Sequence, residues 1–242
     1  MRSGLTSVTF RKKSAEEIVR LAREARLDGI EWGGDVHVPP NDLKNAGRVG
    51  DLTRKAGLSV LSYGSYYRLG EGDFSPVSEA AEALGCKTIR IWMPWNEPDY
   101  EKLYSEAQKA ADGAEKRGQT LCFEFHGGTA ADGVESTLKL LRFFGRENLR
   151  TYWQPPYWDK NWSAKRAGEL PALAPFVRNL HVYHWTGEEN DRRPLSEGAA
   201  DWKAYFSALC GAECALLEFV RKDDEAQFMK DAKTLRELLG QE

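Results

Sequence analysis

Short apolar runs rich in β-branched and aromatic residues alternate along the chain with stretches whose apolar positions recur at helical spacing. The first run, Leu5 to Phe10, leads to Ser14-Ala15-Glu16-Glu17, where Ser14 and Glu17 have the spacing of a capping box. Ile18, Leu21, Ala22 and Ala25 then mark the apolar face of a helix. Gly29 to Trp32 is the second run, and a helix from about Asn41 to Ala56 stops at Gly57. The third run is Leu58 to Tyr63, followed by a helix that Ser75-Pro76 opens and Gly85 ends. Thr88 to Trp92 is the fourth, and the helix after it opens at Pro98-Asp99 and closes near Gly118. Thr120 to Phe125 is the fifth, with a helix over about Asp132 to Phe144. Leu149 to Trp153 is the sixth, with a weaker helical stretch between Ser163 and Leu170. Val177 to Tyr183 is the seventh, with a helix near Ala200 to Leu209. Ala215 to Val220 is the eighth, and a last helix covers about Asp223 to Leu239.

Eight run-and-helix units in 242 residues average roughly 30 residues each, the length of one βα unit. Such alternation implies a parallel sheet covered by helices, and eight units predict a single-domain α/β chain, a (β/α)8 TIM barrel over residues 1–242. An open doubly wound sheet would call for a glycine-rich phosphate turn after the first strand, and Thr9-Phe10-Arg11-Lys12-Lys13 is not one.

Composition narrows the partners. Thirty-four basic and 37 acidic residues give a net charge of -3, so neither nucleic acid nor an anionic membrane is favoured. Hydrophobic residues at 41% and charged residues at 29% suit a folded globular chain. No apolar stretch approaches the roughly 20 residues that span a bilayer, and the first residues lack the apolar run of a signal peptide. Cys86, Cys122, Cys210 and Cys214 show no CxxC pairing, as expected of reduced thiols in a cytoplasmic protein.

Active sites of such barrels lie at the C-terminal ends of the strands. Run two ends in Glu31-Trp32 and leads to His37; run five ends in Glu124-Phe125-His126; run six ends in Trp153-Gln154; run seven carries His181 and leads to His184-Trp185; run eight ends in Glu218. All four histidines therefore fall at or just beyond strand ends. Two buried glutamates converging on one mouth would repel unless a cation lay between them. Glu124, Gln154, His181 and Glu218 make an oxygen and nitrogen set suited to Mn2+, Mg2+, Co2+ or Zn2+. Taken singly, each could equally be a strand-end polar group bonded to backbone or arginine. Glu31, Trp32, His37, Trp92, His126, Trp153, His184 and Trp185 are the candidate substrate contacts, with flat aromatic faces suited to sugar C–H faces or simply to capping the barrel. Arg11, Lys12, Arg68, Arg192 and Arg193 near the mouth are read as solvated loop charges.

Gly29 to Pro40 (GIEWGGDVHVPP), Glu124 to Gly128 (EFHGG), Asn179 to Trp185 (NLHVYHW) and Leu216 to Phe219 (LLEF) resemble the xylose-isomerase-like superfamily of TIM barrels, the sugar phosphate isomerases and epimerases. That resemblance implies a divalent metal held by glutamate, aspartate, histidine and glutamate from strands five to eight, positions that fall here on Glu124, Gln154, His181 and Glu218. Glutamine in the aspartate position is a departure that removes a charge, and His184 stands where relatives often carry an acid. The implied reaction is isomerisation or epimerisation of a sugar or sugar phosphate through an enediolate, with Glu124 and Glu218 as catalytic acid and base. A dehydratase using the same chemistry, and a non-catalytic sugar-binding barrel, are the alternatives. The three-zinc repair endonucleases of the superfamily need more histidine and carboxylate ligands than this chain offers. Barrels of this kind often form homodimers.

Overall fold

The structure, a computed structural model, describes residues 1–95, 99–159, 162–186 and 191–241, with the backbone alone of 163–167. Eight strands close into a barrel: β1 (Arg2–Thr6), β2 (Gly29–Gly33), β3 (Ser59–Arg68), β4 (Thr88–Trp92), β5 (Thr120–Phe123), β6 (Leu149–Trp153), β7 (Val177–Val182) and β8 (Cys214–Leu217). Each is parallel to its sequence neighbours, and β8 closes on β1 through the pairs Arg2 with Cys214 and Leu5 with Leu217. The helices α1 (Ala15–Glu24), α2 (Leu43–Lys55), α3 (Ser75–Leu84), α4 (Tyr100–Glu115), α5 (Val134–Phe144), α6 (Trp162–Leu173), α7 (Ala199–Ala208) and α8 (Glu225–Leu238) alternate with them. This is the single-domain (β/α)8 barrel that the periodicity predicts. His184–Trp185 and Arg192–Arg193 pair as a short antiparallel ribbon beside the mouth. Among the described residues no helix is long and apolar enough to cross a membrane.

Local chemistry sets the boundaries. The capping box at α1 forms as spaced: Glu17 N donates to Ser14 Oγ at 3.2 Å and Ser14 N to Glu17 Oε2 at 2.7 Å. Asp99 caps α4 through Glu101 N and Lys102 N; Pro98, its expected opener, lies outside the described residues. The first strand lies earlier than its apolar run suggests. It covers Arg2–Thr6, while Ser7–Phe10 turn into a 3-10 helix that Thr6 and Thr9 tie to Leu217 O. Gly4 reads as a break in sequence, yet the barrel requires it: a Cβ there would meet Leu61 Cδ1 at 2.5 Å.

Alternation along each strand divides the side chains between two cores. A large apolar core fills the space between strands and helices. A smaller group, Leu61, Cys122, Tyr152, Cys214 and Leu216, is separate from it and plugs the barrel interior. Over that plug the inward positions turn polar, with Glu31, Ser62, Arg90, Asn179 and His181 all buried.

Candidate active site

The polar layer is organised by Glu31. Its carboxylate accepts hydrogen bonds from Ser62 Oγ and Tyr152 Oη, each at 2.7 Å, and from Arg90 Nε at 3.2 Å. Asn179 Nδ2 in turn donates to Tyr152 Oη at 2.7 Å. Burial pushes the Glu31 carboxyl up, but Arg90 and His181 outweigh it and hold its pKa down at about 2. Glu31 is therefore ionised at neutral pH and can only accept. His181 Nε2 lies 3.2 Å from Glu31 Oε1, so the Glu31 carboxylate fixes the orientation of the ring through that nitrogen.

The other ring nitrogen, Nδ1, faces the two glutamates of the mouth. His181 Nδ1 lies 3.3 Å from Glu218 Oε2 and 3.9 Å from Glu124 Oε1. Glu124 and Glu218 come from the loops just past β5 and β8, and both line one cavity of about 1000 Å3. They are there by parity: Cys122 and Leu216, two residues earlier, point into the barrel as well. Glu124 is ion-paired with Arg90 Nη1, whereas Glu218 approaches His181 and its Oε2 has no hydrogen-bond partner. His181 Nδ1 likewise makes no hydrogen bond, although it approaches Glu218 Oε2 to 3.3 Å.

Gln154 also lines the cavity, but both ends of its amide are engaged. Its Nε2 donates to Phe125 O at 2.7 Å and its Oε1 accepts from Tyr183 Oη at 3.0 Å. The four residues expected to hold a divalent ion thus do not form a complete set. Glu124 faces a guanidinium and the Gln154 amide is neutral and engaged at both ends, so two of the four are already committed to protein partners. Among the described residues no three His, Cys, Asp or Glu side chains are grouped as a metal site.

The other candidate contacts divide between the mouth and the helix layer. Trp92, His126 and Trp185 line the cavity. His126 Nδ1 pairs with Gly127 O at 2.8 Å, and its ring lies 4.6 Å from that of Trp92 and 5.8 Å from that of Trp158, which also lines the cavity. Trp32 and Trp153 require correction as substrate contacts. Each is one residue out of phase with an inward side chain, Glu31 and Tyr152, and so faces outward. Trp32 donates to Thr53 Oγ1 of α2, and Trp153 packs on Trp162, Trp202 and Tyr205. Glu31 lies beneath the mouth with its oxygens occupied. His37 is held by Lys13 O at 3.0 Å, and His184 packs on Gly198, so neither lines the cavity.

Sequence reasoning missed Arg90, Tyr66 and Tyr183. Arg90 carried a signal, a charge inside the apolar run TIRIW at the parity of Trp92. Tyr66 was hidden because β3 runs on to Arg68. Of the non-glycine residues with positive φ, Tyr66 (59°), Phe219 (52°), Lys222 (60°) and Asp223 (51°) all line the cavity, a concentration of left-handed backbone typical of functional rims. The basic rim is mostly paired: Arg11 with Asp35, Lys13 with Glu225, and Arg192 with Asp223.

A barrel of this order, with strand-end glutamates around one inward histidine, matches the family model for the xylose isomerase-like TIM barrel over residues 19–238, and the chain belongs to that family. Solved structures with similar folds include the probable 3-DHS dehydratase AsbF of Bacillus anthracis (17% identity, TM-score 0.78, 98% of each chain covered). The 3-keto-D-glucoside 4-epimerase YcjR of E. coli is another (15%, TM-score 0.73, 99% of each chain). So is the D-allulose 3-epimerase of Methylomonas sp. in complex with D-allulose (14%, TM-score 0.72, 100% of this chain and 97% of that one). At these identities the likeness is one of fold. No curated protein sequence matches the chain.

Proposed function

We propose that this chain is an enzyme that moves a proton at a carbon next to a carbonyl of a sugar or sugar-derived substrate, an isomerase or epimerase. The observation that carries the reading is the approach of Glu124 and Glu218 to the same nitrogen of His181, at 3.9 and 3.3 Å, with both carboxylates on one cavity. Their surroundings differ, and the difference divides the roles. Glu124, paired with Arg90, is the base that removes the proton. Glu218, whose Oε2 is unpartnered, is the acid that returns a proton to the neighbouring carbon or to the opposite face. Polyhydroxylated substrates suit the rest of the mouth. Trp92 and Trp185 line the cavity with their aromatic rings, and the Trp158 face is open to C–H contact.

A second reading, dehydration, is favoured by His126. Burial lowers its pKa, and Gly127 O fixes its Nδ1, so a neutral ring adds a third base to the cavity. Elimination begins with the same C–H abstraction, and the AsbF-like fold is compatible with it.

The test is proton exchange. Ketoses such as D-allulose and D-fructose, and a 3-keto-glucoside, are incubated with the protein in D2O and read by NMR. Deuterium should enter next to the carbonyl, and Glu124→Gln and Glu218→Gln should each slow it by about 100-fold or more. Exchange that is unchanged in both variants, or absent across the panel, refutes the assignment.

A further inference from the structure

Arg90 is 1% exposed, and a guanidinium so buried is costly unless fully compensated. The barrel is shaped to hold it. Glu31 takes its Nε and Glu124 its Nη1, while Nη2 has no hydrogen-bond partner. Gly64 leaves the space it needs, since a Cβ there would lie 2.6 Å from Arg90 Nη2. Tyr66 closes the cage, with its ring centroid 5.1 Å from Arg90 Cζ. A guanidinium does not give up its proton in a protein, so Arg90 is a permanent cation. At the same mouth Gln154 brings no charge and spends its amide on Tyr183 and Phe125.

We infer that Arg90 is a fixed internal cation, shared by Glu31 and Glu124, that engages Glu124 where other barrels of this kind would use a divalent ion, so the mouth does not hold such an ion tightly. Arg90 is a positioning residue: it touches Glu124 and does not line the cavity. The inference deepens the proposed function, and rests on it for the need to keep Glu124 ionised. Two features of the chain act together. The amide at position 154 lowers the negative charge of the mouth, and the guanidinium occupies one of the carboxylates that remain.

The experiment is a Mn2+ titration of the full chain, followed by electron paramagnetic resonance of the free ion, with melting curves in EDTA alongside. The wild type should bind more weakly than about 0.1 mM, and its melting temperature should not change in EDTA. Gln154→Asp alone should leave binding weak, because Arg90 still holds Glu124. Gln154→Asp with Arg90→Met should tighten Mn2+ binding by about tenfold or more, while Gln154→Asp with Arg90→Lys, which keeps the charge, should not. One equivalent of Mn2+ bound by the wild type more tightly than about 0.1 mM overturns the inference, as does equal binding by the methionine and lysine variants. If the methionine variant does not fold, the wild type and Gln154→Asp still decide: tight binding by either overturns it. Tight binding in a protein that exchanges substrate protons removes this inference and leaves the proposed function standing. Weak binding in a protein that exchanges none does the reverse.

Discussion

A methyl group at position 64 is the sharpest probe of the buried charge cluster. In Gly64→Ala the new Cβ would lie 2.6 Å from Arg90 Nη2, 3.1 Å from Glu31 Oε1 and 3.3 Å from Arg90 Cζ. A flexible side chain could swing clear, but Arg90 is held at Nε by Glu31 and at Nη1 by Glu124. If the strand gives way instead, the cost is that of overpacking, about 1–3 kcal/mol. If the arginine gives way, one carboxylate loses its partner inside the barrel, at about 3–5 kcal/mol. The expected loss is therefore about 2–4 kcal/mol, seen as a fall in melting temperature of roughly 5–10 °C for a chain of this size. Circular dichroism melts and urea titrations measure it. Gly47→Ala is the control, because its Cβ would meet nothing nearer than Ala83 O at 3.9 Å on a helix, where alanine is favoured. A Gly64→Ala protein within about 0.5 kcal/mol of wild type would show that the cluster is looser than its geometry implies. Proton exchange should fall as well, since Glu124 moves with Arg90.

Acid should expose the contribution of Glu31. Its folded pKa of about 2 lies below the ordinary 4.5, so its stabilisation is fully present above pH 4.5 and is lost as pH falls toward 2. That difference corresponds to about 3 kcal/mol, so urea midpoints should drop across this window in the wild type and much less in Glu31→Gln; parallel curves would refute the linkage. At the rim, Trp158 is 40% exposed and anchored by its Nε1 bond to Asp132 O at 2.9 Å. Trp158→Ala should raise KM for the accepted substrate by about tenfold while costing about 1 kcal/mol of stability or less. Gly127→Ala should act in the same direction, because its Cβ would lie 2.8 Å from that indole; unchanged KM in both would show that this face does not meet the substrate.

The eight-unit layout was legible because each strand and helix carries its own period, and the glutamates at 124 and 218 were legible because each closes an apolar run. What failed was phase. Reading Trp32 and Trp153 as mouth residues treated every strand end as inward, while alternation turns them onto Thr53 and the Trp202 cluster. Arg90 could have been found from that same alternation. Its partners could not, since Tyr152 meets Glu31 across 121 positions of sequence and only closure of the barrel brings them together. The start of β1 was obscured by Gly4, whose missing side chain is a requirement of Leu61 on β3 and Leu216 on β8, which reach it inside the barrel. The state of Gln154 was equally beyond reach, because it depends on the hydroxyl of Tyr183, which only the folded barrel brings alongside.

The left-handed backbone at Tyr66, Phe219, Lys222 and Asp223 sets durability against capability in this molecule. Each such residue costs about 1 kcal/mol or more that glycine would spare, and all four stand around the cavity. Selection for heat resistance alone would erode that rim first, producing a hardier barrel with a slacker opening.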